Sequence, residues 1–325
     1  MIFFIAFLRT LATCLITNSH YSGVYPTDLI ANGGLLGDVI FFAVSGYCLY
    51  NVKASFPKWY SKRVVRCYLP VIMITAFYFI IGSYALTSEQ TLLWWFIYPT
   101  YYHFVASIII LYIPYYFIMK IEAFKNRLPV VMAIIAVIYL FVYIFIYDKS
   151  YYHIDTVREP MIRFLFMESM LLGAWFRQND KRFRNKSSVI AGIGAFVTAG
   201  VYFVCKLAFS KISFISNWQI INQLVLFVFL WMIMRTFAGL DSKLEKLPIF
   251  IKKIIIFTSE LTLEIYLVQY VIIDVLKKVA PFPINWLVLT GTIFVSATVL
   301  HYAVKGILLL CNNISQTFKV KIQKG

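Results

Sequence analysis

The sequence predicts an all-α, polytopic membrane protein of about ten transmembrane helices with both termini in the cytoplasm. Three observations carry that prediction. The 325 residues are 61% hydrophobic and only 14% charged, with a mean hydropathy of +0.79, far above what a soluble chain shows. Apolar runs of roughly 17 to 25 residues, the length that crosses about 30 Å of hydrocarbon, recur along the chain. Basic residues collect in alternate connections between those runs, which sets orientation through the positive-inside bias.

The runs lie near residues 2 to 18, 34 to 53, 69 to 87, 92 to 119, 129 to 147, 160 to 177, 188 to 208, 218 to 236, 253 to 276 and 285 to 310. The fourth is long and contains Pro99 and Pro114, so a kink, a tilt or an interfacial start is expected there. Trp59 and Tyr60, Trp94 and Trp95, Trp218 and Trp286 fall at run ends, where an aromatic belt belongs. Five basic residues lie in 53 to 66, three in 120 to 127, five in 177 to 186, five in 235 to 253 and four from Lys305 onward, which is 22 of the 30. The opposite connections hold only Lys149, Arg158, Arg163, Lys206, Lys211, Lys277 and Lys278. The net charge of +16 is therefore a topology signal, and nucleic-acid binding is set aside. No repeat, low-complexity tract or soluble segment interrupts the pattern, so residues 1–325 read as one membrane domain without a cleavable signal. Cys14, Cys48, Cys67, Cys205 and Cys311 lack paired spacing and read as packed thiols.

Candidate chemistry starts in the first run, where Arg9 interrupts apolar sequence and His20 follows eleven residues later. Eleven helical steps return to within about 20° of the starting face, roughly 16 Å along the axis. An arginine in hydrocarbon costs at least about 2.5 kcal/mol, so it turns toward protein, water or an anion. Asp38 near the start of the second run is a candidate to orient His20. Small residues at Gly37, Ala43, Ser45 and Gly46 allow close helix approach. Arg63 and Arg66, three residues apart, read either as topology determinants or as a bidentate grip on phosphate. Glu168 and Glu264 lie inside apolar runs, where a carboxylate seeks a partner such as Arg9 or Arg163. Arg158, Glu159 and Arg163 at the outer face read as a solvated connection, with contact to an acidic or hydroxyl-rich acceptor as the alternative. His103, His153 and His301 show no ligand spacing, and no metal is expected. P-loop, Rossmann and nucleophile-elbow patterns are missing.

The order Arg9, ten residues, His20, then Gly37 to Tyr47 with its Phe41-Phe42 and Ser45-Gly46-Tyr47, then Arg63, Arg66 and Leu69-Pro70, resembles the acyltransferase-3 family of bacterial membrane O-acyltransferases. Tyr112-Ile113-Pro114, Phe164 to Gly173 and Ser259 to Gln269 are similar to later stretches of that family. Gln269 stands where the family often has histidine, and His103 near a position where it has tryptophan. The hydrolase-like domain fused to some members has no counterpart here.

The resemblance implies transfer of an acyl group, acetyl by default, from cytoplasmic acetyl-CoA to a hydroxyl of a cell-surface or lipid-linked glycan, in the bacterial cytoplasmic membrane among membrane lipid. It implies His20 as general base, since a histidine with a pKa near about 6.5 can take a hydroxyl proton at neutral pH. Arg9 would contact the donor or stabilise developing negative charge, and Arg63 and Arg66 would hold the CoA phosphates. Asp38, Glu168 and Glu264 would support these groups. A transporter or lipid-linked glycan flippase is the competing class, because many helices with intramembrane charge describe those as well. Oligomeric state, acceptor and position acylated are not specified by the sequence.

Overall fold

The computed structural model describes residues 2–98 and 100–322, with side chains as far as residue 311. Pro99 and Lys324, which entered the sequence reading, lie outside the described residues. Every regular element among the described residues is helical. The helices are α1 (Phe3–Ser19), α2 (Gly34–Leu49), α3 (Phe56–Ile80), α4 (Leu92–Phe96), α5 (His103–Lys120), α6 (Glu122–Lys125), α7 (Leu128–Phe145) and α8 (Ile162–Gln178). They continue with α9 (Asp180–Phe183), α10 (Val189–Lys211), a 3-10 turn (Ser213–Trp218), α11 (Ile220–Gly239), α12 (Asp241–Leu244), α13 (Ile249–Glu260), α14 (Thr262–Leu276) and α15 (Ile284–Ile322).

Six helices are long and apolar enough to cross a membrane, namely α3, α5, α7, α10, α11 and the Ile284–Cys311 part of α15. Counting α13 and α14 as one broken span makes seven, and α1 and α2 are shorter apolar helices. The protein is thus an all-α, polytopic membrane protein. Exposed Val130, Ile134, Val137 and Phe141 along α7, and Ile193, Phe196 and Val204 along α10, present the apolar surface that lipid covers.

Two element boundaries depart from the hydropathy reading. The third run was expected to start at residue 69, but α3 begins at Phe56, so Arg63 and Arg66 sit on a helix rather than in a loop. Pro57 fits the first turn of that helix, and Lys, Arg and Trp are acceptable helix residues although polar or interfacial. The fourth run divides into the short α4 and the separate α5, with Pro114 accommodated inside α5.

The chain divides into two compact units, the first comprising residues 1–18, 33–63 and 103–259, the second 19–32, 64–102 and 260–325. In the first unit α2 packs on α8, and glycine sets how closely they approach. A Cβ on Gly46 would lie 1.9 Å from the Met170 carbonyl oxygen, and one on Gly173 would lie 1.8 Å from that of Ala43. Backbone meets backbone there, the small-residue packing that replaces a hydrophobic driving force in lipid. Phe42 stacks on Phe166 at 4.2 Å beside the crossing, and the Tyr115 hydroxyl donates to the Gly46 carbonyl at 2.7 Å.

The start of α1 is held in the same unit by Asp241, which is 1% exposed. Its Oδ1 accepts from the Phe4 amide at 2.9 Å, and its Oδ2 accepts from Arg184 Nε at 2.6 Å. A carboxylate there satisfies an otherwise orphaned first-turn N–H and complements the positive helix end. Replacing Asp241 with Ala strands the Phe4 amide and leaves Arg184 with Asp180 alone. We expect a loss of about 3 kcal/mol, measured as a lowered unfolding temperature in detergent.

The connection between α7 and α8 is pinned by Asp155, whose carboxylate accepts from Tyr202 at 2.9 Å, Asn222 at 3.1 Å, Gln223 at 2.5 Å and the Tyr152 hydroxyl. Burial pushes this carboxyl upward, against those donors and Lys206. In the second unit α14 packs on α15, and Asn285 ties the region together by donating to the Val24 and Lys277 carbonyls at 3.0 and 3.2 Å.

The five cysteines are free, but Cys14, Cys48 and Cys311 are exposed rather than packed. Weakly polar thiols are tolerated where lipid, not water, is the neighbour.

Candidate active site

The residues singled out from sequence divide between the units. Arg9, Asp38, Arg63 and Glu168 belong to the first, and His20, Arg66 and Glu264 to the second.

In the first unit, Arg9 is half-buried on α1, and its Nε is buried without a hydrogen-bond partner. Its carbonyl accepts from Thr13 Oγ1 at 2.9 Å, an ordinary back-bond within the helix. Asp38 is buried in the first turns of α2. Glu168 is buried on α8 with Oε1 unpartnered and no ion pair, so the expected bridge to Arg9 or Arg163 does not form. Arg163 reaches Ser107 Oγ at 3.5 Å instead.

Arg63 is half-buried, its guanidinium 3.8 Å from the centre of the Trp59 ring and its Nη1 donating to the Trp59 carbonyl at 2.8 Å. This arrangement fixes the guanidinium plane, which suits it to recognise a planar anion. Nearby in the same unit the Tyr47 hydroxyl donates to Asp180 Oδ1 at 2.6 Å and accepts from Arg177 Nη1 at 3.3 Å. Lys125 Nζ lies 4.3 Å from the centre of the Tyr50 ring.

In the second unit, His20 is the first residue beyond α1, not a member of it, and is half-buried. Its ring meets Tyr270 edge-on, with centroids 4.7 Å apart. Tyr270 in turn contacts Tyr101, Tyr102 and Tyr266. The Tyr102 hydroxyl is fixed by donation to the Leu267 carbonyl at 3.1 Å, and Tyr78 donates to the Val268 carbonyl at 3.0 Å. Burial lowers the His20 pKa from 6.5 to about 4, so the imidazole is neutral at pH 7 with a lone pair available. Arg66 on α3 is exposed.

Glu264 pairs with a residue that sequence reading had left as a lone histidine. His301 Nδ1 lies 2.8 Å from Glu264 Oε1, with both side chains about one-tenth exposed. The expected arginine partner is thereby replaced by a histidine on the adjacent helix, 37 residues away in the chain. Gln269, further along α14, is fully buried with both amide atoms unpartnered. The tyrosines around His20 were likewise missed, since they come from separated segments and carry no local signal. No three His, Cys, Asp or Glu side chains converge as metal ligands among the described residues.

A family model described as an acyltransferase domain, that of the acyltransferase-3 family, matches residues 2–307. The chain belongs to the acyltransferase-3 family. It is a bacterial multi-pass membrane O-acyltransferase, of a family that transfers acyl groups to surface or lipid-linked polysaccharides. No curated protein and no solved structure matches the chain.

Proposed function

We propose that this acyltransferase moves an acetyl group from cytoplasmic acetyl-CoA to a hydroxyl of a cell-surface or lipid-linked glycan, with His20 as general base. In this reading residues 1–325 form one acyltransferase-3-like domain in the bacterial cytoplasmic membrane, with about ten spans and both termini in the cytoplasm. The half-buried, neutral imidazole of His20 against Tyr270 is the observation that carries it.

A sugar hydroxyl is a poor nucleophile at neutral pH. His20 takes its proton as the oxygen attacks the thioester carbonyl, the carbon–sulfur bond breaks, and the departing CoA thiolate is protonated. The products are an O-acetyl ester and free CoA. Burial opposes the imidazolium that forms, and the negative charge growing on the carbonyl oxygen offsets it. Arg9, with its unpartnered buried Nε, is assigned to that negative charge or to the donor. Arg63 and Arg66 hold CoA phosphates. Asp38, Glu168 and Glu264 support the fold around these groups.

Two outcomes follow. A base whose pKa is lowered keeps its neutral, active form below pH 6.5, so the acid limb of kcat/KM should fall near pH 4. A pH–rate profile with the limb at 6.5 contradicts the buried base. Replacing Arg63 and Arg66 together with Ala should raise the KM for acetyl-CoA in isolated membranes roughly tenfold or more, since each lost charge-assisted bond is worth about 1.5–3 kcal/mol. An unaltered KM leaves them as topology signals.

A further inference from the structure

Among the many cations on the basic side of the first unit, two are half-buried with neither an ion pair nor a backbone carbonyl partner among the described residues. Half-buried Arg184 pairs with Asp180 and Asp241, and half-buried Arg63, Arg235 and Lys252 donate to backbone carbonyls. Lys53, Lys58, Lys62, Lys120, Arg127, Lys181 and Arg182 are exposed, as solvated topology signals should be. Lys125 and Arg177 are half-buried, and neither makes an ion pair among the described residues. Both are drawn to the tyrosines at the end of α2, Lys125 to Tyr50 and Arg177 to Tyr47. Lys125 Nζ sits 4.3 Å from the Tyr50 ring centre, Arg177 Cζ lies 5.3 Å from the ring centre of Tyr47 one turn earlier, and Gln178 next to Arg177 donates to the Lys125 carbonyl at 3.5 Å. Their own elements, α6 and the end of α8, are separate, so the gathering is a product of the fold.

One acid nearby, Asp180, is shared between two arginines, so positive charge remains in excess. Asp180 is 3.6 Å from Arg184, and between Asp180 and Arg177 stands the Tyr47 hydroxyl. Half-burying more cationic than acidic charge is costly, and a phosphate is the ligand that repays it with charge-assisted bonds.

We propose that Lys125 and Arg177, gathered at Tyr50 and Tyr47, bind the phosphate groups at the nucleotide end of the acyl-CoA donor. This rests on the reading that acyl-CoA is the donor. The seat adds two residues that the sequence alone marks only as topology signals.

The test compares two donors in isolated membranes, acetyl-CoA and S-acetylpantetheine, which carries the same thioester without the phosphates and the nucleotide. The quantity read is the ratio of their kcat/KM values. In the protein with Lys125→Gln and Arg177→Gln this ratio should collapse at least tenfold. In the exposed control Arg127→Gln it should hold. A purely structural role lowers both donors together and leaves the ratio unchanged, which overturns the proposal.

A measurement on the unaltered protein covers the case in which the double variant does not insert. Adenosine 3′,5′-bisphosphate, the phosphate-bearing end of CoA, should compete with acetyl-CoA, and absence of inhibition overturns the proposal. A protein that turns over S-acetylpantetheine with no preference for acetyl-CoA refutes the phosphate seat alone. One that uses neither thioester refutes the donor reading as well.

Discussion

Replacing His20 with Ala should lower transfer of acetyl to glycan by at least about a hundredfold, the lower end of what a general base contributes. The loss should appear in kcat with little change in the KM for acetyl-CoA, because the imidazole acts on the acceptor proton and not on the phosphates. Burial sharpens the expectation. A neutral imidazole in contact with Tyr270 has its orientation set before substrate arrives, so His20→Gln, which keeps polarity without a comparable base, should be nearly as damaged as His20→Ala. Comparable membrane insertion of the variants, checked by protein level and detergent-extracted homogeneity, keeps the comparison on chemistry. A His20→Ala protein with ordinary O-acetyl output would remove the assignment.

The largest effect on stability is expected at Gly46 and Gly173. Each Cβ would meet a carbonyl oxygen at under 2 Å, well inside any real contact, and the obstructing atoms are backbone that no rotamer change can move. Even Ala must force α2 and α8 apart. Overpacking costs about 1–3 kcal/mol when side chains can yield, and here they cannot, so each Ala variant should exceed that range and each Val variant should yield no folded protein. Gly200 on α10 is the contrast, with nothing within 4 Å of its Cβ position. Gly200→Ala should be neutral or stabilising by up to about 1 kcal/mol, since Gly is the poorer helix former. Thermal unfolding in detergent, followed by size-exclusion fluorescence, separates the three.

Much of the fold was legible because hydrophobic length and charge asymmetry are local properties. The apolar runs become helices at α1, α2, α7, α8, α10 and α11 with ends displaced by a few residues. The start of α3 was not legible, because hydropathy reports where lipid begins and not where a helix begins. The close approach at Gly46 was foreshadowed by its small neighbours, whereas its partner Gly173 could be identified only from the pairing of α2 with α8.

For the site, residue type indicated His20 and Arg9, and resemblance gave them roles. Pairing was beyond sequence. Glu264 finds His301 across two helices, and Tyr270 meets His20 from the opposite end of the chain. Contacts of that separation depend on topology, and no periodicity within one helix encodes them. Lys125 and Arg177 show the same limit, since half-burial distinguishes them from cations of identical type a few residues away.

The most direct test of the account supplies acetyl-CoA labelled in the acetyl group to isolated membranes and analyses the glycan by mass spectrometry. The account predicts labelled acetyl in ester linkage to a glycan hydroxyl, dependent on this protein and lost with His20→Ala. Unlabelled glycan from membranes in which the protein is present and inserted would contradict it.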